Sequence, residues 1–189
     1  MNDVSRAPDR ELTFRSLYEA IYPDLLRFVQ RRVPADSAED VVAEAFLVVW
    51  RRLEELPSRH DDARAWIFGI TRNLLLNTDR SEQRRHALGV RLAEATATPF
   101  TPAETETVLN RVDLGRAWRR LSATHQEAIA LAAFEALTAP QAATVLGISP
   151  VAFRLRLSRA RRALRHHLEH QPPQPRSAPA RTAERTTTP

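Results

Sequence analysis

A helix–turn–helix pattern near the C-terminal end, over residues 137–162, constrains this chain most. Thr138 and Gln141 have the spacing of a capping box that begins a helix, and Gly147 is a typical stop. Ser149, followed by proline, predicts the N-cap of a second helix. A short helix, a tight turn and a longer arginine-rich helix are typical of proteins that read the major groove of duplex DNA.

The second helix of this pattern has two different faces. One stripe is apolar and predicts the packed side: Phe153, Leu157, Ala160, Leu164 and Leu168. The opposite side predicts contact with DNA: Val151, Leu155, Ser158, Arg159, Arg162 and Arg165. An alternative is a surface helix whose arginines only keep it soluble. The lack of acidic residues from Gly147 to Leu168 and the turn chemistry favour DNA binding over that alternative.

Composition agrees with a polyanionic partner and excludes several kinds of site. The 189 residues carry a formal charge of +5, and all 28 basic residues are arginine, which suits bidentate contacts with phosphate and guanine. The absence of cysteine excludes disulfides and thiolate metal sites. Neither a membrane-length apolar run nor a signal-peptide core is present. We therefore expect a cytoplasmic protein without membrane insertion.

Apolar residues recur at helical spacing and glycines are few, which predicts an all-α protein. The pattern divides into two small helical domains on a flexible linker. The expected parts are a flexible N-terminus (1–12), a first domain (13–80), a linker (81–107), a second domain (108–169) and a disordered tail (170–189).

The second predicted helix, beginning at Asp36-Ser37, is apolar on more than one side. Val42 and Phe46 share one stripe, whereas Leu47 and Trp50 lie on other faces beside acidic residues. Three short helices could scarcely cover all of these side chains, so part of this surface is expected to meet a protein partner. The alternative is a central helix that its neighbours bury on two sides.

The third predicted helix interleaves aromatic and basic residues. Arg64, Phe68 and Arg72 follow at four-residue steps, with Trp66 and Asn73 nearby. Aromatic rings stack on unpaired bases, arginines hold phosphates, and an amide reads a base edge, which together describe a platform for single-stranded DNA. Aromatic residues at helical spacing are also typical of a core, and spacing alone favours the core for Trp66.

Three segments in this order resemble one bacterial family, the extracytoplasmic-function group of RNA polymerase sigma factors. They are the stretches 40–50 (DVVAEAFLVVW) and 65–74 (AWIFGITRNL) and the helix–turn–helix. The resemblance implies sigma domain 2 followed by sigma domain 4. The chain differs from the usual family pattern at Ala63, Asn77 and Leu155, so a promoter sequence is not carried over.

The resemblance also implies partners and roles. Core RNA polymerase would bind through its clamp helices and flap, with docking residues Asp40, Glu44, Leu47 and Trp50. The third helix would open and hold the minus-ten element of the promoter, through Arg64, Trp66, Phe68, Arg72 and Asn73. The helix–turn–helix would read the minus-thirty-five element, through Val151, Arg154, Leu155, Ser158, Arg159 and Arg162. An anti-sigma factor is expected as a further partner.

Two other classes of function remain as alternatives. A self-contained helix–turn–helix regulator would act without polymerase, as a dimer on a palindromic operator. An enzyme would need a site, for which the candidates are metal-binding sets: His166, His167 and His170, or His60, Asp61 and Asp62. No nucleophile–base pair or phosphate-binding glycine loop is recognisable, so we expect no catalytic residues, no metal and no cofactor.

Overall fold

The computed structural model describes residues 6–82 and 112–170, with side chains over 9–77 and 112–170, and every regular element in these ranges is helical. The helices are α1 (Arg6–Gln30), α2 (Ala35–Arg51), α3 (His60–Glu82), α4 (112–119), α5 (Ala123–Ala133), α6 (Ala139–Leu146) and α7 (Pro150–Glu169), with one 3-10 turn at Leu53–Glu55. This confirms the all-α class. Nearly all of the predicted linker and tail lies outside the described residues.

The first helix begins at Arg6, before residue 13, where the first domain was expected to begin. The predicted flexible N-terminus therefore overlaps α1 from that residue onward. Arg10 explains the extension, because its Nη2 donates a hydrogen bond to the backbone oxygen of Trp50 at 2.7 Å. Its guanidinium also lies 4.9 Å from the centroid of the Trp50 ring. These contacts join the polar first turns of α1 to the end of α2.

Two predicted helix starts differ from the structure. Helix α2 begins at Ala35 directly after Pro34, without a side-chain cap, so Asp36 lies inside the first turn. Helix α5 is capped by Ser122, whose Oγ accepts a hydrogen bond from the backbone N–H of His125 at 3.3 Å. Thr124 and Glu127 also have the spacing of a capping box, but both lie inside α5.

The helix–turn–helix forms as its sequence predicts. Gln141 Oε1 accepts from the backbone N–H of Thr138 at 2.9 Å at the start of α6. Gly147 ends α6 with φ of +64°, a left-handed conformation that glycine adopts without strain. Ser149 Oγ then accepts from the backbone N–H of Ala152 at 3.1 Å and starts α7. These three local signals fix the angle between α6 and α7.

The two helical units pack against each other, which the sequence did not predict. Helix α3 of the front unit (α1–α3) lies against α6 of the rear unit (α4–α7). Gly69 marks the close approach, since a Cβ built there would lie 3.7 Å from the Cα of Val145. One hydrophobic core consequently runs from α1 through α3 into α6, and a smaller one around Trp118 and Ala160 lies within the rear unit.

Candidate nucleic-acid and polymerase interface

The outer face of α7 is the most open of the predicted surfaces. Phe153 and Ala160 are buried and pack α7 against the other helices of the rear unit. Val151 is 68% exposed and Leu155 51% exposed, so two apolar side chains stand on the outer surface. The polar residues predicted to contact DNA are also exposed: Arg154, Ser158, Arg159 and Arg162. The structure thus brings all six predicted duplex-contacting residues to solvent on one helix.

The charges on this face remain available to a ligand. Within the described part of the chain, Arg154, Arg159 and Arg162 take part in none of the salt bridges. Guanidinium groups without carboxylate partners can donate to phosphate oxygens or to the O6 and N7 atoms of guanine. The exposed Val151 and Leu155 can contact thymine methyl groups. This helix face therefore carries both polar and apolar groups suited to the edges of base pairs.

The predicted single-strand residues on α3 lie in three different environments. Phe68 is fully buried and stacks on Phe28, with ring centroids 4.8 Å apart and an interplanar angle of 19°. Trp66 is partly buried, with the guanidinium of Arg52 lying 5.5 Å from its ring centroid. Asn73 is exposed. In this arrangement Asn73 is open to a ligand, while Phe68 belongs to the core.

The two arginines of the predicted platform are occupied by the protein itself. Arg72 Nε donates to Glu127 Oε1 at 2.7 Å, and its Nη2 donates to Oε2 at 3.1 Å. Arg64 Nε donates to Asp24 at 3.0 Å, while its Nη1 donates to the backbone oxygen of Glu135 at 2.8 Å. The two arginines of the predicted strand-binding set therefore lie at the contact between the front and rear units.

The predicted docking residues on α2 fall into two groups. Asp40, Glu44 and Leu47 lie at i, i+4 and i+7 and share one exposed face, on which Leu47 is 57% exposed. Trp50 lies at the side of this face, with its ring 5.1 Å from that of Phe14 in an edge-on arrangement. Acidic groups beside an exposed leucine form a surface suited to a protein partner and unsuited to phosphate.

Sequence reasoning missed a groove between α1 and α2. Its volume is about 580 Å³, and it is lined by Glu11, Phe14, Arg15, Tyr18, Glu19 and Trp50. Tyr18 also lies 4.6 Å from the Phe46 ring and 5.1 Å from the Tyr22 ring, measured between centroids. The four-residue spacing of Phe14, Tyr18 and Tyr22 was the available signal in the sequence.

Sequence reasoning also missed the carboxylates that meet the arginines of the front unit. Glu135 is nearly fully buried, and its Oε1 lies 3.0 Å from Arg31 Nη1 and 4.0 Å from Arg32 Nη1. Burial raises the pKa of Glu135 above its ordinary value, against the opposing effect of the neighbouring arginines. Glu127 is likewise buried. The available signal was Glu127, a charged residue within the otherwise apolar helix α5, which needs a charged partner when it is buried.

Neither of the two candidate metal-binding sets forms a metal site in the described part of the chain. The rings of His166 and His170 lie 4.2 Å apart at the exposed end of α7, and His60 Nδ1 lies 3.7 Å from Asp61. Among the described residues no group of three or more possible metal ligands comes together. None of the described helices has the length and apolar character required to cross a membrane.

All three departures from the expected pattern lie in the described part of the chain. Ala63 is buried at the start of α3, and Asn77 is exposed farther along the same helix. The third departure, Leu155, is the exposed apolar residue in the middle of the outer face of α7. Two of the three positions are therefore open to a ligand.

Comparisons with known proteins agree with this arrangement of units. Residues 17–85 match the family Sigma-70 region 2, and residues 111–164 match Sigma-70, region 4. The ECF RNA polymerase sigma factor SigL of Mycobacterium tuberculosis is 34% identical over 156 residues, which are 82% of this chain and 88% of SigL.

Two solved structures share the fold. The sigma factor RpoE of Bartonella quintana, in complex with the anti-sigma factor NepR, gives a TM-score of 0.60 at 24% identity and covers 85% of this chain and 99% of its own. CnrH, in complex with the cytosolic domain of CnrY, gives a TM-score of 0.55 at 26% identity, covering 86% and 91%. With both sigma regions present in order on an all-α fold, the chain belongs to the ECF RNA polymerase sigma factors, which direct core polymerase to specific promoters.

Proposed function

We propose that this sigma factor divides promoter recognition among three separate helix surfaces. The outer face of α7 reads the duplex minus-thirty-five element, α3 holds the non-template strand of the minus-ten element, and the acidic face of α2 docks on the clamp helices of the polymerase. The observation that carries the proposal is the exposed, carboxylate-free outer face of α7, presented by a correctly capped helix–turn–helix.

On α7, the proposal assigns base-edge contacts to the residues near the start of the helix. Arg154 and Ser158 lie one turn apart and are exposed beside Leu155. Recognition helices contact bases with their N-terminal residues, and residues farther along meet the phosphate backbone. Arg162 is accordingly assigned to phosphate, whereas Arg159 can reach either target. The apolar pair Val151 and Leu155 gives this helix a preference for thymine methyl groups.

On α3, the proposal assigns the single-stranded element to Arg64, Trp66, Phe68, Arg72 and Asn73. Asn73 is exposed, so its amide is open to solvent and suited to reading a base edge. Arg64 and Arg72 would have to exchange their present partners for phosphates. Phe68 is buried in the core, so it contributes to strand binding only by holding the neighbouring residues of α3 in position.

On α2, acidic and apolar groups favour a protein partner. Asp40 and Glu44 would repel DNA phosphates, and the exposed Leu47 one turn after Glu44 gains from burial in an interface. Trp50 links this face to the aromatic groove beside Phe14. The flap of the polymerase is proposed as the contact of the rear unit.

An anti-sigma factor is proposed as a further partner. Two sigma factors with this fold, RpoE and CnrH, are known in complex with NepR and with the cytosolic domain of CnrY. Such a partner would have to cover one or more of the three surfaces described above. The proposed function places the protein in the cytoplasm with core polymerase, which supplies the catalytic residues for RNA synthesis.

Run-off transcription with core polymerase tests the proposal. The protein alone should bind duplex promoter DNA weakly, whereas the mixture with core enzyme should form open complexes and give a promoter-dependent transcript. Tight binding of a free dimer to a palindromic site, without any polymerase-dependent transcript, would refute the assignment.

The docking surface has its own test. Replacing both Asp40 and Glu44 by Arg should abolish co-purification with core polymerase, because the charge of the docking face is reversed. The fold should stay intact, because both side chains are exposed. A matched control replaces the exposed Glu54 and Glu169 by Arg, which changes the net charge equally on other elements. Equal core binding by the two double variants would contradict the assignment of this face.

A further inference from the structure

We propose that Glu127 holds Arg72 in place of a DNA phosphate, so that the rear unit and single-stranded DNA compete for the same face of α3. The inference rests on the proposed function, because it takes Arg64 and Arg72 as strand-binding residues. It adds that the free protein is closed on itself, and that Glu127 is the group a nucleic-acid strand must displace.

The geometry of this ion pair is that of a phosphate contact. Arg72 uses Nε and Nη2 to reach the two carboxylate oxygens of Glu127, at 2.7 and 3.1 Å. The same two-pronged arrangement is the one with which arginine binds phosphate. The side chains are only 18% and 8% exposed, so water screens the pair weakly. A carboxylate and a phosphate therefore cannot use these donors together.

A second arginine on the same helix face is occupied in the same way. Arg64, two turns before Arg72, donates to Asp24 of α1 at 3.0 Å and to the backbone oxygen of Glu135 at 2.8 Å. Glu135 lies two residues after the end of α5, so α5 and the short segment after it reach both arginines. A strand lying along residues 60–77 of α3, where the side chains are described, would meet no guanidinium without a protein partner.

The space between the units excludes a strand as well. A Cβ built at Gly69, which lies between the two arginines, would be 3.7 Å from the Cα of Val145 and 3.8 Å from the backbone oxygen of Thr144. These are ordinary van der Waals distances, and they leave no room for a nucleotide between α3 and α6. Strand binding on this face consequently requires the rear unit to move away from α3.

Fluorescence anisotropy with a labelled single-stranded oligonucleotide pool tests the competition on the full-length chain. Glu127→Gln removes the charge that competes with phosphate and keeps the size of the side chain. We expect this variant to bind the oligonucleotide about tenfold more tightly than the unmodified protein at low salt. The matched control is Glu54→Gln, which alters a 74% exposed carboxylate by the same charge and should change the affinity little. Equal affinities for Glu127→Gln and Glu54→Gln would overturn the proposal.

A reversible crosslink provides a test that does not depend on the stability of the Glu127 variant. The chain has no cysteine, so Gly69→Cys with Val145→Cys introduces the only two thiols, at a close approach where a Cβ on Gly69 would lie 3.7 Å from the Cα of Val145. The oxidised protein should lose single-strand binding, and reduction should restore it. An oxidised, fully crosslinked protein that binds the oligonucleotide as tightly as the reduced form would overturn the proposal.

Failure of this inference can be told apart from failure of the proposed function. If the unmodified protein gives promoter-dependent transcripts with core polymerase while both binding tests fail, the sigma assignment stands and the competition is wrong. If no transcript forms with any variant, the assignment of strand-binding residues on α3 loses its basis as well.

Discussion

The guanidinium carbon of Arg32 lies 3.5 Å from the centroid of the Phe28 ring, inside the contact between the front and rear units. Its Nη1 donates to the backbone oxygen of Phe28 at 2.6 Å. Its Nε and Nη2 are buried without a hydrogen-bond partner among the described residues. Burial lowers the pKa of Arg32 to about 10, so the side chain remains charged at neutral pH with only part of its hydration replaced.

Replacing Arg32 with Met should therefore leave the stability unchanged or raise it. Methionine keeps the aliphatic stem and removes a charge whose desolvation outweighs the attraction of Glu135. We expect the free energy of unfolding, measured by urea titration, to rise by about 1 kcal/mol. Arg31→Met is the control, because it removes a 3.0 Å ion pair with Glu135 from a partly exposed arginine and should lower stability. A larger loss for Arg32→Met than for Arg31→Met would contradict this account.

Glu135 should make the unfolding free energy depend on pH in the acidic range. Burial, opposed by Arg31, Arg32 and Arg64 and assisted by Asp24, raises the pKa of Glu135 above the ordinary 4.5. Between pH 4.5 and the raised pKa, the folded protein binds more protons than the unfolded chain. The free energy of unfolding therefore rises as the pH falls through this window. The difference in unfolding free energy, wild type minus Glu135→Gln, should be more positive near about pH 5 than near about pH 7. A constant difference would show that this carboxyl is not perturbed.

Two glycines with equally open surroundings should respond to alanine in opposite directions. A Cβ at either Gly147 or Gly115 would meet nothing within 4 Å, but Gly147 has φ of +64° whereas Gly115 lies within α4. Gly147→Ala should cost about 1 kcal/mol of stability through the left-handed backbone. Gly115→Ala should add about 0.5 to 1 kcal/mol, because alanine favours the helix. Thermal unfolding of both variants measures this, and destabilisation of similar size in both would contradict it.

Local features of the fold were predictable because their causes are local. The capping pair Thr138 and Gln141, the stop at Gly147 and the cap at Ser149 each depend on a few neighbouring residues, and the structure contains all of them. The outward face of α7 followed from helical spacing in the same way. On α2, helical spacing correctly predicted that Leu47 is exposed. The position of Trp50 could not be predicted in this way, because it depends on a contact with Phe14 of α1.

The contact between the two units could not be predicted, because its partners are far apart in the sequence. Arg72 pairs with Glu127, 55 positions later, and Arg31 pairs with Glu135, 104 positions later. An arginine at four-residue spacing from an aromatic residue has the same pattern whether it faces DNA or a distant carboxylate. Helical periodicity identifies a face and carries no information on what covers it, which is why Phe68 was predicted on a platform and lies in the core.

The burial of Phe68 also decides which α3 substitution can separate strand opening from folding. Phe68→Ala would remove a ring stacked on Phe28 and cost about 3 to 5 kcal/mol of stability, so any loss of activity would be ambiguous. Asn73 is exposed, and its replacement by Ala leaves the core intact. Asn73→Ala should therefore impair promoter opening while it spares binding to the upstream duplex element.

Arg154→Ala should show the opposite defect in the holoenzyme. Loss of a bidentate guanine contact should weaken binding to the upstream element by about 1 to 3 kcal/mol and relax specificity at one base pair. Loss of a phosphate contact would instead weaken all sequences alike and reduce the salt dependence by about one unit. Because α7 positions the polymerase and does not melt DNA, opening on a pre-melted template should stay normal for Arg154→Ala and remain impaired for Asn73→Ala. Permanganate footprinting on linear and pre-melted promoters separates the two defects, and identical footprint losses from both variants would show that the division of labour between α3 and α7 is wrong.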